Sequence, residues 1–545
     1  MAGSDTHVTL PADTNQARGI AEYAIAFLSD DPGRRGEPDQ SVLERTELFH
    51  ADACLCGVSA LALGTNAPTI LRAEALQYPS PQDAPGPGLG RSRRHGATVF
   101  GLGPDGKPAR VKAEKAIVAN SSAVREWDSN GTNFGYNPEL GHTAGEFGHN
   151  DFYPVAIAAA QMLGADGTTA LRGMVLLDEI RGRLAEVFSL KSYKIDHVVH
   201  GAIASAATFG AMVGATAEQI ESAIGMVVAH YIPFRAIRAG KQLSDSKGAS
   251  AAISTEAAIL SVKRSMAGFL GPRDIFRNPE AIFRLFEGPG QMFQKVGAGA
   301  ANTEKADASP FDLALGRSGG DFAVMGMHFK LGLYEHQSAG AIQAMLDLLG
   351  KAPQLLDDAE GDRIDRIRIV AYEPAFSIIG DPAKRNPTTR QSADHSMVYI
   401  VATLLRKALE LKEAGWKELM LEPADYSASA IDNPLTRRLM EKIEFAHGGP
   451  EYDRRYPDGI PTSVEITEAG GARHDSGLVM YPAGHARNTT ADLRDILGHK
   501  FGLLAHLAAD DSAQLVDRFM NVGSKSADDI NALHDFSLRT TARFE

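Results

Sequence analysis

The sequence is poor in cysteine. It has only Cys54 and Cys56 in 545 residues, two positions apart in an apolar segment. Cysteines placed this way suit small buried side chains better than a disulfide bridge. Two cysteines do not supply the thiolates that an iron–sulfur cluster usually takes, and no Cys/His array has zinc-site spacing. We therefore predict no disulfide framework and no metal centre.

The sequence also has a deficit of positive charge and no long apolar run. It carries 68 acidic and 55 basic residues, a formal net charge of −13. This charge opposes binding to nucleic acid or to an anionic membrane, so an anionic ligand has to be attracted locally. No uncharged apolar run reaches membrane-spanning length, and the polar N-terminus does not resemble a targeting signal. We expect a cytoplasmic protein with neither a nucleic-acid nor a membrane partner.

The remaining composition is that of a folded globular protein, with 44% hydrophobic and 23% charged residues. Segments rich in Ala, Leu, Ile and Met follow a helical period, and several are dense in small residues. Such helices approach one another closely, as in an all-helical core. The predicted helices of this type are 20–28, 43–63, 153–163, 169–186, 201–213, 217–229 and 249–267.

The pattern changes near residue 321. Residues 323–333 and 363–372 alternate apolar and polar positions over part of their length, which is typical of half-buried strands. Residues 462–468 and 477–481 predict a further strand pair, while 338–349, 396–411 and the chain after 491 predict helices.

The expected fold class is therefore mainly α, a large all-helical domain with an inserted smaller α+β lid domain. The predicted boundaries are 1–321 for the first part of the helical domain, 322–488 for the lid and 489–545 for the C-terminal part of the helical domain. An inserted domain leaves a cleft, which is a common location for a ligand site.

One glycine motif resembles a nucleotide-binding loop. Gly101, Gly103 and Gly106 match the pattern G-x-G-x-x-G. However, Pro104 to Gly106 is a turn signal, and Lys107-Pro108 stands where the phosphate-binding helix should begin. We interpret the motif as a hairpin turn and predict no organic cofactor.

Residues 120–161 hold the densest group of reactive side chains, in a Gly-rich loop between two apolar helical segments. Core packing does not call for so many acids, bases and hydroxyls, so this loop is predicted to form part of a site. Its members are Asp128, Thr132, His142, Glu146, His149 and Asp151.

Three further clusters could complement this loop. A single histidine in a large protein is more often a core or surface residue than a catalyst, and aspartate next to histidine can simply cap a helix. Taken together, the cations, imidazoles and hydroxyls suit binding a small polycarboxylate and transferring its protons. The clusters are Asp196, His197 and His200; Arg235, Arg238, Lys241 and Lys247; and, later, His328, Lys330, Glu335, His336, Gln337, Arg390, Asp394, His395 and Tyr399.

Six short strings, each weak alone, follow one another along nearly the whole chain. They are Asp128 to Thr132 with a later Gly148-His149; Asp196-His197; Ser246-Lys247; Phe329-Lys330 followed by His336; Arg390, Asp394, His395 and Tyr399; and Gly484-His485. In this order they resemble the MmgE/PrpD family, which includes 2-methylcitrate dehydratase and cis-aconitate decarboxylase. The resemblance implies a large helical domain, a smaller α+β lid with the site between them, a homodimer, and no metal or organic cofactor.

The resemblance also implies roles for individual residues. Lys247 and Lys330 would bind substrate carboxylates, while imidazoles and Tyr399 would exchange protons. Which group removes the carbon-bound proton, and which protonates the departing hydroxyl, stays open. The implied catalytic residues are Asp128, Thr132, His149, His197, Lys247 and Tyr399, and the implied substrate-binding residues are Lys330, His336, His142, Arg390 and His395.

The sequence departs from the family pattern near the expected pocket. The loop between Thr132 and His149 is longer than usual and adds His142, which competes with His149 for the family histidine. We favour His149 because it leads directly into the next helix. Asn130-Gly131 replaces an acidic residue of many members, and 331–336 differs from the usual Pro-containing string. These changes concern the substrate more than the fold.

The resulting functional hypothesis is a cofactor-independent lyase that dehydrates a citrate-like hydroxy-tricarboxylate, with 2-methylcitrate as the first choice. Within the same fold, decarboxylation of cis-aconitate and epimerisation of a related dicarboxylate are alternatives. A non-catalytic helical binding or scaffold protein is the alternative from another class.

Overall fold

The computed structural model describes residues 6–80, 89–92, 94–238, 243–285, 308–380, 382–541 and 543–544. Within these ranges the chain is mainly α-helical, as predicted. Lys241, one of the cations singled out in the sequence, lies outside the described residues.

Buried helices dominate the first half of the chain, and the small-residue helices predicted there are confirmed. Val198–Val213 is buried at every position. Its glycines explain the close packing, since a Cβ atom on Gly201 would lie only 2.0 Å from Cζ of Phe152. The helices are Gln16–Phe27, Gln40–Ala62, Asn66–Ala75, Ala113–Arg125, Pro154–Leu163, Gly167–Val187, Val198–Val213, Ala217–His230, Ser246–Met266 and Ile282–Leu285.

Short two-stranded ladders connect these helices. The predicted hairpin at Gly101 to Gly106 is confirmed, because the strands on either side of it pair and Gly103 N donates to Lys107 O at 2.7 Å. The ladders are His7–Leu10 with Leu313–Gly316, Gly96–Leu102 with Pro108–Lys112 and Thr132–Asn133 with Gly148–His149, all antiparallel, and Glu37–Pro38 with Ser318–Gly319, which is parallel.

A four-stranded sheet forms in the later chain, in the order Ile443–His447, Ile364–Ala371, Thr462–Glu468, Arg473–Asp475. The first pair is parallel and the other two are antiparallel. The apolar side chains of the central strands, including Ile367 and Val464, are fully buried. The helices of this region are Ala339–Lys351, Arg390–Ala393, Met397–Leu411, Ala428–Ile431, Pro434–Glu441 and Pro450–Asp453. An α+β region is therefore present, while the domain boundaries at 322 and 488 stay a prediction.

Two strand predictions are wrong. Residues 323–333 form the 3₁₀ turn Ala323–Gly326 and then a buried segment with one isolated bridge, from His328 to Thr132. The backbone of this segment bonds to loops: Phe329 N donates to Gly484 O and Leu333 N to Leu421 O, both at 2.9 Å. Residues 477–481 contribute only a bridge from Val479 to Thr462. Sequence reasoning missed the parallel strand Ile443–His447, which is short and largely exposed.

The chain returns to helix at its C-terminal end with Leu493–Ala508, Ser512–Phe519 and Ala527–Asn531. Lys500 on the first of these is buried and donates to Asp52 Oδ1 at 2.6 Å, Ser129 O at 2.7 Å and Lys330 O at 2.8 Å. One ammonium group thus joins the second helix of the chain, the loop after Asp128 and the segment that carries Lys330.

The two cysteines are buried free thiols, as predicted. Across the described ranges, no single helix combines the length and apolar character needed to cross a membrane. The adjacent helices Gln40–Ala62 and Asn66–Ala75 reach this length and apolar character only when they are taken together, and a bend of 92° separates them.

Candidate active site

A cavity of about 80 Å³ lies where the helical part of the chain meets residues 330–395. Seven residues singled out in the sequence as site residues line it: Asp128, Thr132, His149, His197, Lys330, His336 and His395. Its other lining residues are Arg125, Phe134, Phe147, Arg235, Arg238, Glu335, Gln337, Ile379 and Lys384.

Asp128 is the centre of a buried ion-pair network. It follows the helix Ala113–Arg125 and has a positive φ of 51°, a conformation that aspartate tolerates better than most residues. This turn directs its carboxylate towards Arg125 and Lys330, which both donate to Oδ1. Lys330 Nζ also donates to the backbone carbonyl of Asp128 at 2.7 Å. Two cations from distant parts of the sequence are therefore fixed by one carboxylate.

The second oxygen of Asp128 extends the network to Asp394. His395 bridges the two carboxylates, with Nε2 3.1 Å from Oδ2 of Asp128 and Nδ1 2.6 Å from Oδ1 of Asp394. Lys247 Nζ donates to Asp394 at 2.8 Å and lies 3.8 Å from Asp128. Burial alone would raise the pKa of Asp128, but Arg125, Lys330, His395 and Lys247 hold it well below its usual range.

His149 lies beside this network and is neutral. Its Nε2 is 3.2 Å from the guanidinium of Arg125, which can only donate, so Nε2 is an acceptor and the ring proton is on Nδ1. Burial and the charges of Arg125 and Lys330 hold the pKa of His149 well below 6.5. The strand pair Thr132–Asn133 with Gly148–His149 positions the ring, and the Thr132 hydroxyl donates to Gly148 O at 2.8 Å.

His197 is the neighbour of His149, with 5.2 Å between the ring centroids. It stands at the start of the helix Val198–Val213. Both of its ring nitrogens are buried and lack a hydrogen-bond partner within the described part of the chain. Burial lowers its pKa well below 6.5, although Asp196 acts in the opposite direction. A neutral imidazole with two unsatisfied nitrogens is available to a substrate.

The segment 335–337 supplies another group of polar side chains. His336 is buried, and its two ring nitrogens also have no partner among the described residues. Burial and the charge of Lys330 lower its pKa well below 6.5. Glu335 beside it is half-buried, with its Oε2 atom inaccessible to solvent, and desolvation raises the pKa of its carboxyl to about 7. His336 is therefore uncharged at neutral pH, and Glu335 is partly protonated.

The long loop between Thr132 and His149 contributes an apolar wall. Phe134 and Phe147 both line the cavity, with their ring centroids 5.7 Å apart, and Ile379 lines it as well. The loop is anchored by Glu146, whose buried carboxylate accepts from Lys191 N at 2.6 Å. The loop between Thr132 and His149 thus places aromatic rings in the candidate site.

Four of the sequence-derived site residues are not among the side chains that line the cavity. The Tyr399 hydroxyl donates to Asp425 O at 2.5 Å. His142 Nδ1 lies 3.1 Å from Glu186 Oε2. Arg390 pairs with Glu126 and packs over the Trp127 ring. Lys247 contacts Asp394 and Asp128, so it supports the ion-pair network.

Sequence reasoning gave no individual role to Arg125, Glu335 or Lys384, and treated Arg235 and Arg238 only as members of a cation cluster. The sequence pattern did not indicate a role for Arg125, because this residue lies at the end of an apolar helix. Its contacts with Asp128 and His149 depend on the turn that follows the helix. Glu335 is adjacent to a family histidine, which was the only available signal. Arg235 has a buried Nη1 without a partner in the described ranges.

Asp128, Asp394 and His395 offer ligand atoms within 4.8 Å of one another. Both carboxylates already accept from Lys or Arg side chains, and Arg125, Lys247 and Lys330 surround the group. A divalent cation would add to this positive charge, so the donor set fits a structural ion-pair network better than a metal site.

Two family models match the chain: the MmgE/PrpD N-terminal domain over residues 37–294 and the MmgE/PrpD C-terminal domain over residues 335–522. These ranges contain all of the sequence-derived site residues except Lys330.

Curated relatives match most of the chain at low identity. The 2-methylcitrate dehydratase of Salmonella typhi is 25% identical over 436 residues, which cover 76% of this chain and 79% of the relative. That of Escherichia coli (strain K12) is 24% identical over 434 residues, with the same coverage of 76% and 79%. The mitochondrial 2-methylcitrate dehydratase of Yarrowia lipolytica is 27% identical over 330 residues, 58% of this chain and 55% of the relative.

Proposed function

Since this chain belongs to the MmgE/PrpD family, we propose that it is a cofactor-independent lyase that eliminates water from a citrate-like hydroxy-tricarboxylate. The proposed substrate is 2-methylcitrate and the product 2-methyl-aconitate, after the activity named for its relatives. The observation that carries this proposal is the meeting of buried cations and neutral imidazoles in a single cavity.

The cations supply the attraction for a polycarboxylate that the overall charge of −13 does not. Arg125, Arg235, Arg238, Lys330 and Lys384 all line the cavity. Charge-assisted hydrogen bonds to carboxylates are the strong ones, and arginine can bind a carboxylate with two parallel bonds. Arg235 has an unsatisfied Nη1 for this purpose. Several cations in one small space favour a substrate with more than one carboxylate.

The imidazoles suit the proton transfers. Dehydration removes a proton from the carbon next to a carboxylate, while the hydroxyl on the neighbouring carbon departs as water and the C–H electron pair becomes the double bond. His149, His197 and His336 are neutral at pH 7, and the ring nitrogens of His197 and His336, which have no partner among the described residues, can accept the carbon-bound proton. The fixed cations stabilise the enolate-like charge that develops on the substrate carboxylate.

The aromatic wall favours a substrate with an apolar substituent. Phe134, Phe147 and Ile379 offer contact surface to a methyl group, which citrate lacks and 2-methylcitrate carries. A methyl group in an apolar pocket contributes about 1–3 kcal/mol to discrimination. We therefore expect kcat/KM for 2-methylcitrate to exceed that for citrate by about 10-fold or more, and Phe147→Ala to reduce this ratio.

The proposal is tested by assaying 2-methylcitrate, citrate and cis-aconitate side by side with purified, folded protein. Dehydration produces a conjugated alkene acid that absorbs in the ultraviolet, whereas decarboxylation of cis-aconitate releases carbon dioxide. Turnover of cis-aconitate with carbon dioxide release would replace the dehydratase proposal. No turnover of any of the three would favour the scaffold alternative.

We further propose that the protein is a homodimer. Phe269 and Leu270, which follow the helix Ser246–Met266, are large apolar side chains with 54% and 79% exposure. Adjacent exposed apolar side chains favour a protein–protein contact. Light scattering at micromolar concentration tests this, and a mass of 58.2 kDa, that of one chain, would refute it.

A further inference from the structure

Glu335 is an acidic side chain in a cavity that otherwise suits anions. Its Oε1 accepts from Gln337 N at 2.9 Å, and its own backbone N donates to Asp394 O at 2.9 Å. These two bonds fix both ends of the residue. The other carboxyl oxygen, Oε2, is buried and has no hydrogen-bond partner in the portion of the chain that the structure describes. Glu335 lines the same cavity as His149, His197 and His336.

The surroundings shift this carboxyl towards its protonated form. Burial raises its pKa to about 7, and the charge of Asp128 acts in the same direction, while the Gln337 amide, Lys330 and Lys384 oppose the rise. Tyr372 and Tyr456 also lie near it, and both are buried neutral phenols. A bound polycarboxylate would bring further negative charge, which disfavours ionisation of Glu335. A bound polycarboxylate therefore favours the protonated form of Glu335 further.

We propose that Glu335 is the general acid of the reaction, donating the proton on Oε2 to the departing hydroxyl of the substrate. This inference rests on the proposed dehydratase function. The C–O bond breaks with its electron pair going to oxygen, the Glu335 proton converts that oxygen into water, and an imidazole nitrogen takes the carbon-bound proton. The imidazolium then releases its proton and the Glu335 carboxylate takes one up from solvent, which restores the starting forms of both groups.

Other cavity groups suit this step less well. The imidazoles are neutral, so they are proton acceptors at pH 7. The Lys330 ammonium donates to the carboxylate and the backbone carbonyl of Asp128. Among the described lining residues, Glu335 alone is a carboxylic acid whose pKa is raised towards neutrality. An acid with a pKa near the working pH is the most effective proton donor.

The first test is Glu335→Gln, which keeps an oxygen to accept from Gln337 N and removes only the transferable proton. With 2-methylcitrate we expect kcat to fall by about 10²- to 10⁴-fold with little change in KM. The wild-type rate should decline as pH rises through the pKa of Glu335, because the acid is lost, and this alkaline decline should be absent from the residual activity of the variant. Glu444→Gln is the matched control, since Glu444 is exposed on the strand Ile443–His447.

A substrate analogue with fluoride in place of the departing hydroxyl provides the decisive test. Fluoride is a weak base and leaves without a full proton transfer. The Glu335→Gln variant should therefore eliminate fluoride at a rate within about 10-fold of the wild-type rate. Equal impairment with both leaving groups would show a structural role and overturn the proposal, as would an unimpaired variant with 2-methylcitrate. Failure of the wild-type enzyme with every tested acid would instead refute the dehydratase function itself.

Discussion

Two groups of titratable side chains meet in one cavity, and burial has opposite outcomes for them. Around Asp128, close opposite charges overcome burial, so Asp128 and Arg125 remain ionised, although burial lowers the pKa of Lys330 in the same network. At His149, His197 and His336 burial prevails and the neutral forms are favoured, and at Glu335 burial raises the pKa to about 7. In the proposed function this difference separates two tasks: the fixed charges would hold the substrate, and the neutral groups would transfer protons.

Removing the carboxylate of Asp128 should have the largest effect. Asp128→Asn leaves Arg125 and Lys330 as buried, uncompensated cations, so we expect a loss of about 3–5 kcal/mol in the free energy of unfolding. Asp128→Ala should cost about a further 1 kcal/mol, because alanine disfavours the positive φ of this position. Urea denaturation measures both effects.

The matched control for this substitution is Asp432→Asn. Asp432 pairs with Arg437 at 3.3 Å, but its side chain is 82% exposed, so the loss should be at most about 1 kcal/mol. Similar losses for Asp128→Asn and Asp432→Asn would contradict the idea that a charged network supports the site.

Replacing a neutral imidazole should reduce the rate more than the stability. We expect His149→Ala to lower kcat by about 10²- to 10⁴-fold, because it removes a ring that faces the cavity. His142→Ala should change kcat by less than about 3-fold, since its ring contacts Glu186 outside the lining of the cavity. Steady-state kinetics of the two variants decide between the histidines, and a larger defect for His142→Ala would reverse the assignment.

The neutral histidines also predict how stability depends on pH. Burial lowers the pKa of His50 and His200 to about 4 and of His485 and His534 to about 3 in the folded protein. Above pH 6.5 these groups are neutral in both the folded and unfolded states. Below pH 6.5 the unfolded state binds protons before the folded state does. Each such histidine therefore lowers the free energy of unfolding by about 1.4 kcal/mol per pH unit.

We therefore expect the free energy of unfolding to fall by several kcal/mol between pH 6.5 and 5.5, well above the range in which Asp128 accepts a proton. Urea denaturation in buffers of equal ionic strength measures this change. A flat profile across this interval would show that the buried histidines are not held neutral.

Sequence alone predicted the helices well because small apolar residues at helical spacing dictate both their length and their burial. It failed for 323–333, where the alternating pattern belongs to a 3₁₀ turn and a buried segment that bonds mainly to loops. Within the site, the motifs identified residues such as Lys330 and His336 but not the directions of their side chains. Lys330 reaches Asp128 across 202 positions of sequence, a contact that local patterns do not encode. Glu335 carries no local signal of its burial.

Tyr399 shows the same limit and gives the smallest predicted effect. Its motif implied a phenol that exchanges protons, yet its hydroxyl donates to the carbonyl of Asp425, and burial raises its pKa to about 12. Tyr399→Phe should remove one hydrogen bond, costing about 1 kcal/mol in the free energy of unfolding, with kcat changed by less than about 3-fold. A fall in kcat comparable to that of His149→Ala, at unchanged stability, would mean that Tyr399 turns towards the cavity during the reaction and belongs with the proton-transferring groups.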